Sequence, residues 1–183
     1  MNTAVSNPSA WVERFGASAP TTGRVCDVAC GGGRHTRWFA TRGHEVVAID
    51  RDLSGVADLA DDPRVELVEA DLEDGSPPPI ATRAFGVVVV TNYLWRPILD
   101  ALVDGVAPGG VLLYETFALG NERLGRPTNP NFLLARNELL ELALAHDLTV
   151  VAYEDVEVEL PRPAVVQRIA AIRADEPQDP RTT

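Results

Sequence analysis

The chain has 183 residues, enough for one domain with a sizeable core, and its 45% hydrophobic and 23% charged residues are typical of a globular protein. Its net charge of −11 argues against a broad basic surface for nucleic acid or an anionic membrane. No apolar stretch approaches the ~20 residues that cross a bilayer, and the first residues lack a basic region followed by an apolar block. We therefore expect a cytoplasmic protein without a membrane or nucleic-acid partner.

The first predicted elements are a short helix and a strand that ends in glycines. Trp11, Val12 and Phe15 can share one helical face within residues 1–22. An apolar run over 25–29, typical of a buried parallel strand, predicts a first strand over 24–29, and three glycines at 31–33 precede a predicted helix over 34–42. This order is typical of the first unit of a nucleotide-binding α/β domain.

The glycine turn predicts a ligand site. Glycine permits positive φ and close approach of a ligand, and the following helix start offers free N–H donors. Asp27 lies within the apolar run, where a carboxylate is costly unless a partner satisfies it, and a ligand above the turn would do so.

A second apolar strand, predicted over 45–49, ends at Asp50. This carboxylate follows the glycines at close to the ~20-residue offset at which an acid meets a ribose hydroxyl in such folds. A short helix over 52–60 and an edge strand over 64–69 come next. Three prolines at 77–79 cannot continue a helix, so the usual crossover helix is expected to be shortened or lost.

The most apolar strand, over 85–91, is predicted at the sheet centre. Since ligands bind beyond the carboxyl ends of parallel strands, Thr91, Asn92, Tyr93 and Arg96 are candidate site residues. A helix over 98–106 and a turn at 108–110 lead to a strand over 111–117, which places Glu115 at the same edge.

The last third of the chain contains a long loop, a helix and two strands. The loop, residues 118–134, is either functional or an ordinary insertion, and its Arg123 and Arg126 suggest an anionic or carboxylate-bearing substrate. A helix over 136–146 precedes strands over 148–160 and 163–173, which form an antiparallel hairpin. Residues 1–174 are predicted to be one domain and residues 175–183 a disordered tail.

The pattern Asp27-x-Ala29-x-Gly31-x-Gly33 resembles motif I of class I S-adenosylmethionine-dependent methyltransferases, with alanine in place of the first glycine. We therefore expect negative φ at position 29. The turn at 108–110 is also similar to that family. The stretches 30–35 and 114–117 resemble small bacterial methyltransferases of the tellurite-resistance-like group.

The resemblance implies a doubly wound, Rossmann-like sheet of seven mostly parallel strands, with helices on both faces and a C-terminal antiparallel hairpin. It implies S-adenosyl-L-methionine as cofactor and direct in-line methyl transfer to a small molecule. In this family N-terminal helices often cover the cofactor or substrate, so the segment 1–22 is either a lid or a helix that covers the core edge.

The resemblance also implies roles for single residues. Asp27 and the backbone of residues 31–33 would hold the methionine end, Asp50 the ribose, and Asp71 and Leu72 the adenine. The full set of predicted cofactor-binding residues is Asp27, Ala29, Cys30, Gly31, Gly33, His35, Asp50, Arg51, Asp71, Leu72, Thr91, Asn92 and Tyr93. Candidate catalytic residues are Tyr93, Arg96 and Glu115, no general base declares itself, and no metal site is expected.

Two other functions stay open at this point. Ala29 and the missing base leave a non-catalytic S-adenosylmethionine-binding protein as an alternative. An NAD-dependent oxidoreductase is disfavoured by the turn spacing, the closing hairpin and the lack of a Ser-Tyr-Lys set. The methyl acceptor, its attacking atom and the oligomeric state do not follow from the sequence.

Overall fold

The computed structural model describes residues 7–19, 23–160 and 162–175. The predicted tail beyond residue 175 and the first six residues lie outside this range. The helices are α1 (Ala10–Gly16), α2 (Arg34–Ala40), α3 (Leu99–Asp104) and α4 (Glu138–Ala145). The strands are β1 (Val25–Val28), β2 (Val46–Asp50), β3 (Val65–Glu69), β4 (Phe85–Thr91), β5 (Val106–Phe117), β6 (Leu148–Val158) and β7 (Ala164–Arg173).

All seven strands belong to one sheet in the order β3-β2-β1-β4-β5-β7-β6. The first five strands in this order pair parallel with one another, whereas β7 pairs antiparallel with both β5 and β6. This confirms the predicted Rossmann-like fold with its closing hairpin. The order reverses direction at β1 and β4, and a crevice opens at such a switch point.

Alternate residues of the strands pack against helices on opposite faces of the sheet. On one face Val25, Val87 and Leu113 share a core cluster with Trp11 of α1 and Phe39 of α2. On the other face residues such as Cys26, Val88 and Leu112 pack with α3 and α4. Both faces of the parallel strands are therefore buried, which explains their continuous apolar runs.

Two predicted elements differ from the structure in detail, and a third agrees with it. The segment predicted as a short helix over 52–60 is a 3-10 helix, Leu53–Leu59. A single 3-10 turn, Pro79–Thr82, replaces the crossover helix after the prolines, as expected. The turn predicted at 108–110 lies within β5, where the register against β4 shifts and Gly109 has φ 71°.

None of the helices within the described part of the chain is long and apolar enough to span a bilayer.

Candidate functional site

Four parallel strands end at one edge of the sheet and bring candidate residues together. The pairing register aligns Val28 with both Ile49 and Val90, and Thr91 with Glu115. The residues that follow β1, β2 and β4 therefore meet Glu115 at the carboxyl edge. Three cavities open there.

The first cavity, of about 400 Å³, contains most of the predicted nucleoside-binding residues. It is lined by Ala29, Asp50, Arg51, Ala70, Asp71, Leu72, Glu73, Tyr93 and Phe132. Three of the four charged residues in this lining are acidic. Such carboxylates accept hydrogen bonds from hydroxyl and amino groups.

Asp50 is hydrogen-bonded to the glycine turn. Its Oδ2 accepts from the Gly31 backbone N–H at 2.8 Å, and its Oδ1 accepts from the Asp52 N–H at 3.1 Å. A cleft-facing Asp50 was the main geometric prediction from the sequence, and the residue does line the cavity. It also fixes the conformation of the turn.

Two positions of the turn require glycine for different structural reasons. Gly31 has φ 53°, and a Cβ at this position would meet nothing within 4 Å, so its surroundings are open to a ligand. Gly33 has φ 67°, and a Cβ there would collide with Val56, so it is needed for packing. Arg37 supports the turn from behind, since it donates to the Gly32 carbonyl oxygen at 2.7 Å.

The prediction of negative φ at position 29 is wrong, because Ala29 has φ 52°. The chain reverses sharply here while the next residue, Cys30, still donates its N–H to the carbonyl oxygen of Ile49 in β2 at 3.0 Å. The left-handed residue and this bond occur together where the chain leaves the strand. The alanine adopts a conformation that glycine would occupy with less strain.

Asp27 has a protein partner, so the expected ligand is not needed to satisfy it. The side chain is buried, and its Oδ2 accepts from the Thr36 N–H at 2.9 Å and from the Thr36 hydroxyl at 2.6 Å. Burial raises the pKa of Asp27 to about 6, although the bonds from Thr36 oppose this shift. Asp27 thus anchors α2 to β1 beneath the turn.

Cys30 also lies below the cavity surface. It packs against Ala48 and Val56, and burial raises the pKa of its thiol to about 12. It is therefore a small packing residue in the thiol form.

His35 connects α1 to the end of β4. Its ring is buried, its Nε2 accepts from the Ser9 N–H at 3.1 Å, and its Nδ1 lies 3.4 Å from the Thr91 hydroxyl. Burial, with a smaller effect from Arg34, lowers the pKa of His35 to about 3. The ring is neutral at physiological pH, so we assign its proton to Nδ1, which faces Thr91.

The second cavity, of about 600 Å³, lies between the start of α1 and the β6–β7 hairpin. Polar groups at its inner end include Asn92, Arg34 and Glu115, and apolar side chains of Phe117, Val158, Leu160 and Val166 form its wall. Glu115 accepts from the Ser9 hydroxyl at 2.9 Å and lies 3.5 Å from Arg168.

A third, smaller cavity of about 290 Å³ connects the other two through shared residues. It shares Tyr93 and Phe132 with the first cavity, and Asn92 and Phe117 with the second. The Tyr93 hydroxyl is buried here without a hydrogen-bond partner in residues 7–19, 23–160 and 162–175. Burial, together with nearby Glu73, raises its pKa above the ordinary value for tyrosine.

Arg96, predicted to be a catalytic candidate, has its guanidinium engaged in contacts within the protein. Its guanidinium contacts both oxygens of Glu138 at 2.7 and 2.8 Å and donates to the carbonyl oxygens of Asn131 and Leu133. It ties the long loop to α4. Arg123 similarly donates to the Gly120 carbonyl oxygen, and neither it nor Arg126 lines the three cavities.

Several residues of the second cavity were not singled out from the sequence. They are Pro8, Ser9, Arg34, Arg162, Val166 and Arg168. Arg34 directly follows the glycines and could have been included on that ground. The others come from segments far apart in the chain, and no local motif marks them.

Comparison with known proteins gives one family match and many similar folds. Residues 25–110 match the family described as methyltransferase domain. No curated protein matches the chain. Among solved structures, TehB from Haemophilus influenzae is 19% identical with a TM-score of 0.66, over 89% of this chain and 61% of TehB. The present chain therefore spans less than two thirds of that protein.

Two further structures match over more of their own length. An S-adenosylmethionine-dependent methyltransferase from Mesorhizobium loti is 16% identical with a TM-score of 0.66, over 90% of this chain and 98% of its own. The 1,6-didemethyltoxoflavin-N1-methyltransferase of Burkholderia thailandensis is 20% identical with a TM-score of 0.66, over 90% of this chain and 77% of its own. At these identities the likeness shows the fold. The match to the methyltransferase domain covers just under half of the chain, residues 25–110, and the chain shares the fold of solved S-adenosylmethionine-dependent methyltransferases.

Proposed function

We propose that this chain transfers a methyl group from S-adenosylmethionine to a small molecule, with the cofactor in the first cavity and the acceptor in the second. The observation that carries the proposal is the row of cavities at the carboxyl edge. Acidic residues and the glycine turn lie at one end, a mostly apolar cavity lies at the other, and the third cavity links them. A two-substrate reaction requires such neighbouring sites.

The residues of the first cavity fit the cofactor. The open space at Gly31 accommodates a ligand close to the backbone, and Asp50 and Asp71 present carboxylates to hydroxyl and amino groups. The unpartnered hydroxyl of Tyr93 offers a further hydrogen bond at the junction with the third cavity. Among the predicted binding residues, Ala29, Arg51 and Leu72 would complete the nucleoside site, while Asp27, Cys30, Gly33 and His35 would shape it from below.

When bound, S-adenosylmethionine supplies an electrophilic methyl group on a sulfonium, so the protein's task is mainly orientation. In the proposal Asn92 lies between the two sites and orients the acceptor towards the cofactor. Glu115 lines the acceptor cavity and would accept the proton that the attacking atom loses. Of the three catalytic candidates, Tyr93 and Glu115 retain access to the cavities and Arg96 does not.

The size of the second cavity supports a small acceptor. A volume of about 600 Å³ is within the range of ~300–1,000 Å³ typical of small-molecule sites. Pro8, Ser9 and Ala10 border the cavity, while Trp11 and Val12 of α1 belong to the core. We propose that the N-terminal segment serves both predicted roles, covering the core and forming one wall of the site.

Calorimetric titration with S-adenosylhomocysteine tests the proposal. We expect Asp50→Ala to weaken binding at least tenfold, because the variant loses a cavity carboxylate and the bond that fixes Gly31. Asp61→Ala, an exposed acid outside the cavities, is the matched control and should bind normally. Undiminished binding by a folded Asp50→Ala protein would contradict the assignment.

A further inference from the structure

The second cavity differs in charge from the rest of the molecule. The whole chain has 16 basic and 27 acidic residues. The charged residues that line this cavity are Arg34, Arg162, Arg168 and a single acid, Glu115. The first cavity has the opposite balance. A positive site on an acidic protein therefore needs a functional explanation.

The three arginines are not equally available to a ligand. Arg168 is paired with Glu154, to which its Nε donates at 2.7 Å, and its Nη1 lies near Glu115. Arg34 makes only long contacts, at 3.5 Å to the Asn7 carbonyl oxygen and 3.4 Å to the Thr91 hydroxyl. Within the described ranges, neither Arg34 nor Arg162 forms an ion pair with a carboxylate.

Arg162 lies at the outer end of the cavity, beside an aromatic ring. Its guanidinium carbon is 5.6 Å from the centre of the Phe117 ring, and the residue is exposed. Phe117, Val158 and Val166 form a continuous apolar surface around this position. A guanidinium without a carboxylate partner at the rim of an apolar wall binds an anionic group while the wall contacts an apolar body.

We infer that the second cavity binds an apolar acceptor that carries a carboxylate or similar anionic group. The anionic group contacts Arg162, the apolar body lies along Phe117 and Val166, and the atom to be methylated is near Asn92 and Glu115. This inference rests on the proposed function for the assignment of the cavity to the acceptor. Glu115 is held at the other end of the cavity by the Ser9 hydroxyl and by Arg168, away from Arg162.

Three probes of similar shape test the charge preference. We would titrate the protein with 2-naphthoate, 2-naphthylmethylamine and 2-naphthalenemethanol by calorimetry, with and without saturating S-adenosylhomocysteine. Naphthoate should bind at least tenfold more tightly than the amine or the alcohol. Equal or tighter binding of the amine would overturn the inference.

Variants of Arg162 locate the interaction. Arg162→Gln should weaken naphthoate binding at least fivefold and Arg162→Glu further, with no change for the alcohol. Arg123→Gln, which removes an exposed arginine outside the cavities, should leave naphthoate binding unchanged. Naphthoate binding that is unchanged in both Arg162 variants would overturn the inference.

The same titrations separate this inference from the proposed function. If S-adenosylhomocysteine fails to bind the wild-type protein, the proposed function is wrong, and the naphthoate titrations on the cofactor-free protein still decide the charge preference of the cavity. If S-adenosylhomocysteine binds and naphthoate shows no preference over the amine, only the anionic acceptor is excluded.

Discussion

Asp27 shows how one buried residue gives the protein a pH-dependent stability. Its carboxyl group accepts two hydrogen bonds from Thr36, and burial raises its pKa in the folded state above the value of 3.8 expected when unfolded. Between these two pKa values the folded protein holds more protons than the unfolded chain. The contribution of Asp27 to the free energy of unfolding therefore falls as pH rises through this interval.

We predict that this pH dependence disappears in Asp27→Asn. A shift from 3.8 to about 6 corresponds to about 3 kcal/mol, so the wild type should lose up to about this amount relative to the variant between pH 4 and pH 7. Urea unfolding at several pH values measures it. Asp62→Asn is a control of opposite sign. Arg64 lowers the pKa of Asp62, so the contribution of Asp62 to the free energy of unfolding falls as pH falls, not as it rises. Parallel curves for wild type and Asp27→Asn would contradict the prediction.

The elements of the sheet follow from the sequence more directly than the contacts between them. The apolar runs at 25–28, 46–50 and 85–91 identify the parallel strands, since both of their faces are buried. The partner of Asp27 was not predictable in this way, because it depends on where α2 returns after the turn. The positive φ of Ala29 does not follow from residue preference, because alanine disfavours it, and the sequence alone does not show the hydrogen bond between Cys30 and Ile49 of β2 that accompanies it.

The second cavity could not be predicted because its wall combines three distant segments. The start of α1, the end of β5 and the β6–β7 hairpin meet only in the folded chain. The first cavity was more accessible to sequence reasoning, since its residues follow consecutive strands. A motif reports residues near each other in sequence, and the residues that line the second cavity form no such motif.

At the scale of elements, Ser9 caps α1 and ties its start to α2 and to β5 through three hydrogen bonds. Its hydroxyl accepts from the Trp11 N–H at 3.1 Å and donates to Glu115, while its own N–H donates to His35. A helix of seven residues depends on such end contacts, because it is too short to be stable alone.

We predict that Ser9→Ala loosens α1 locally. Loss of the cap should cost about 1 kcal/mol and raise hydrogen exchange of the α1 amides about fivefold, with the amides of β4 unchanged. Mass spectrometry of peptides covering Ala10–Gly16 and Phe85–Thr91 measures this. Ser76→Ala removes an exposed hydroxyl and should change neither peptide. Equal acceleration in both regions would instead indicate global destabilisation.

At the scale of the whole molecule, two cavities of opposite charge balance lie side by side on one sheet edge. In the proposed function this arrangement would keep the recognition of each ligand separate, and Tyr93 and Asn92 line the third cavity between the two sites. The strand order places the acidic residues of the first cavity at or just after the ends of β2 and β3, and the basic residues of the second cavity mainly in or next to β7. The sheet itself therefore separates the two charges.

Because the two cavities are separate, we predict that each ligand stabilises the folded protein independently. A substitution in one cavity should then remove the stabilisation by that cavity's ligand alone. A ligand at 100 times its dissociation constant adds about 2.7 kcal/mol, which for a domain of this size raises the melting temperature by roughly 5–10 °C. In thermal unfolding, Asp50→Ala should lose most of the shift caused by S-adenosylhomocysteine and keep that caused by 2-naphthoate. Arg162→Gln should show the reverse pattern. If either variant lost both shifts, the two cavities could not be independent sites, and the division of cofactor and acceptor between them would be wrong.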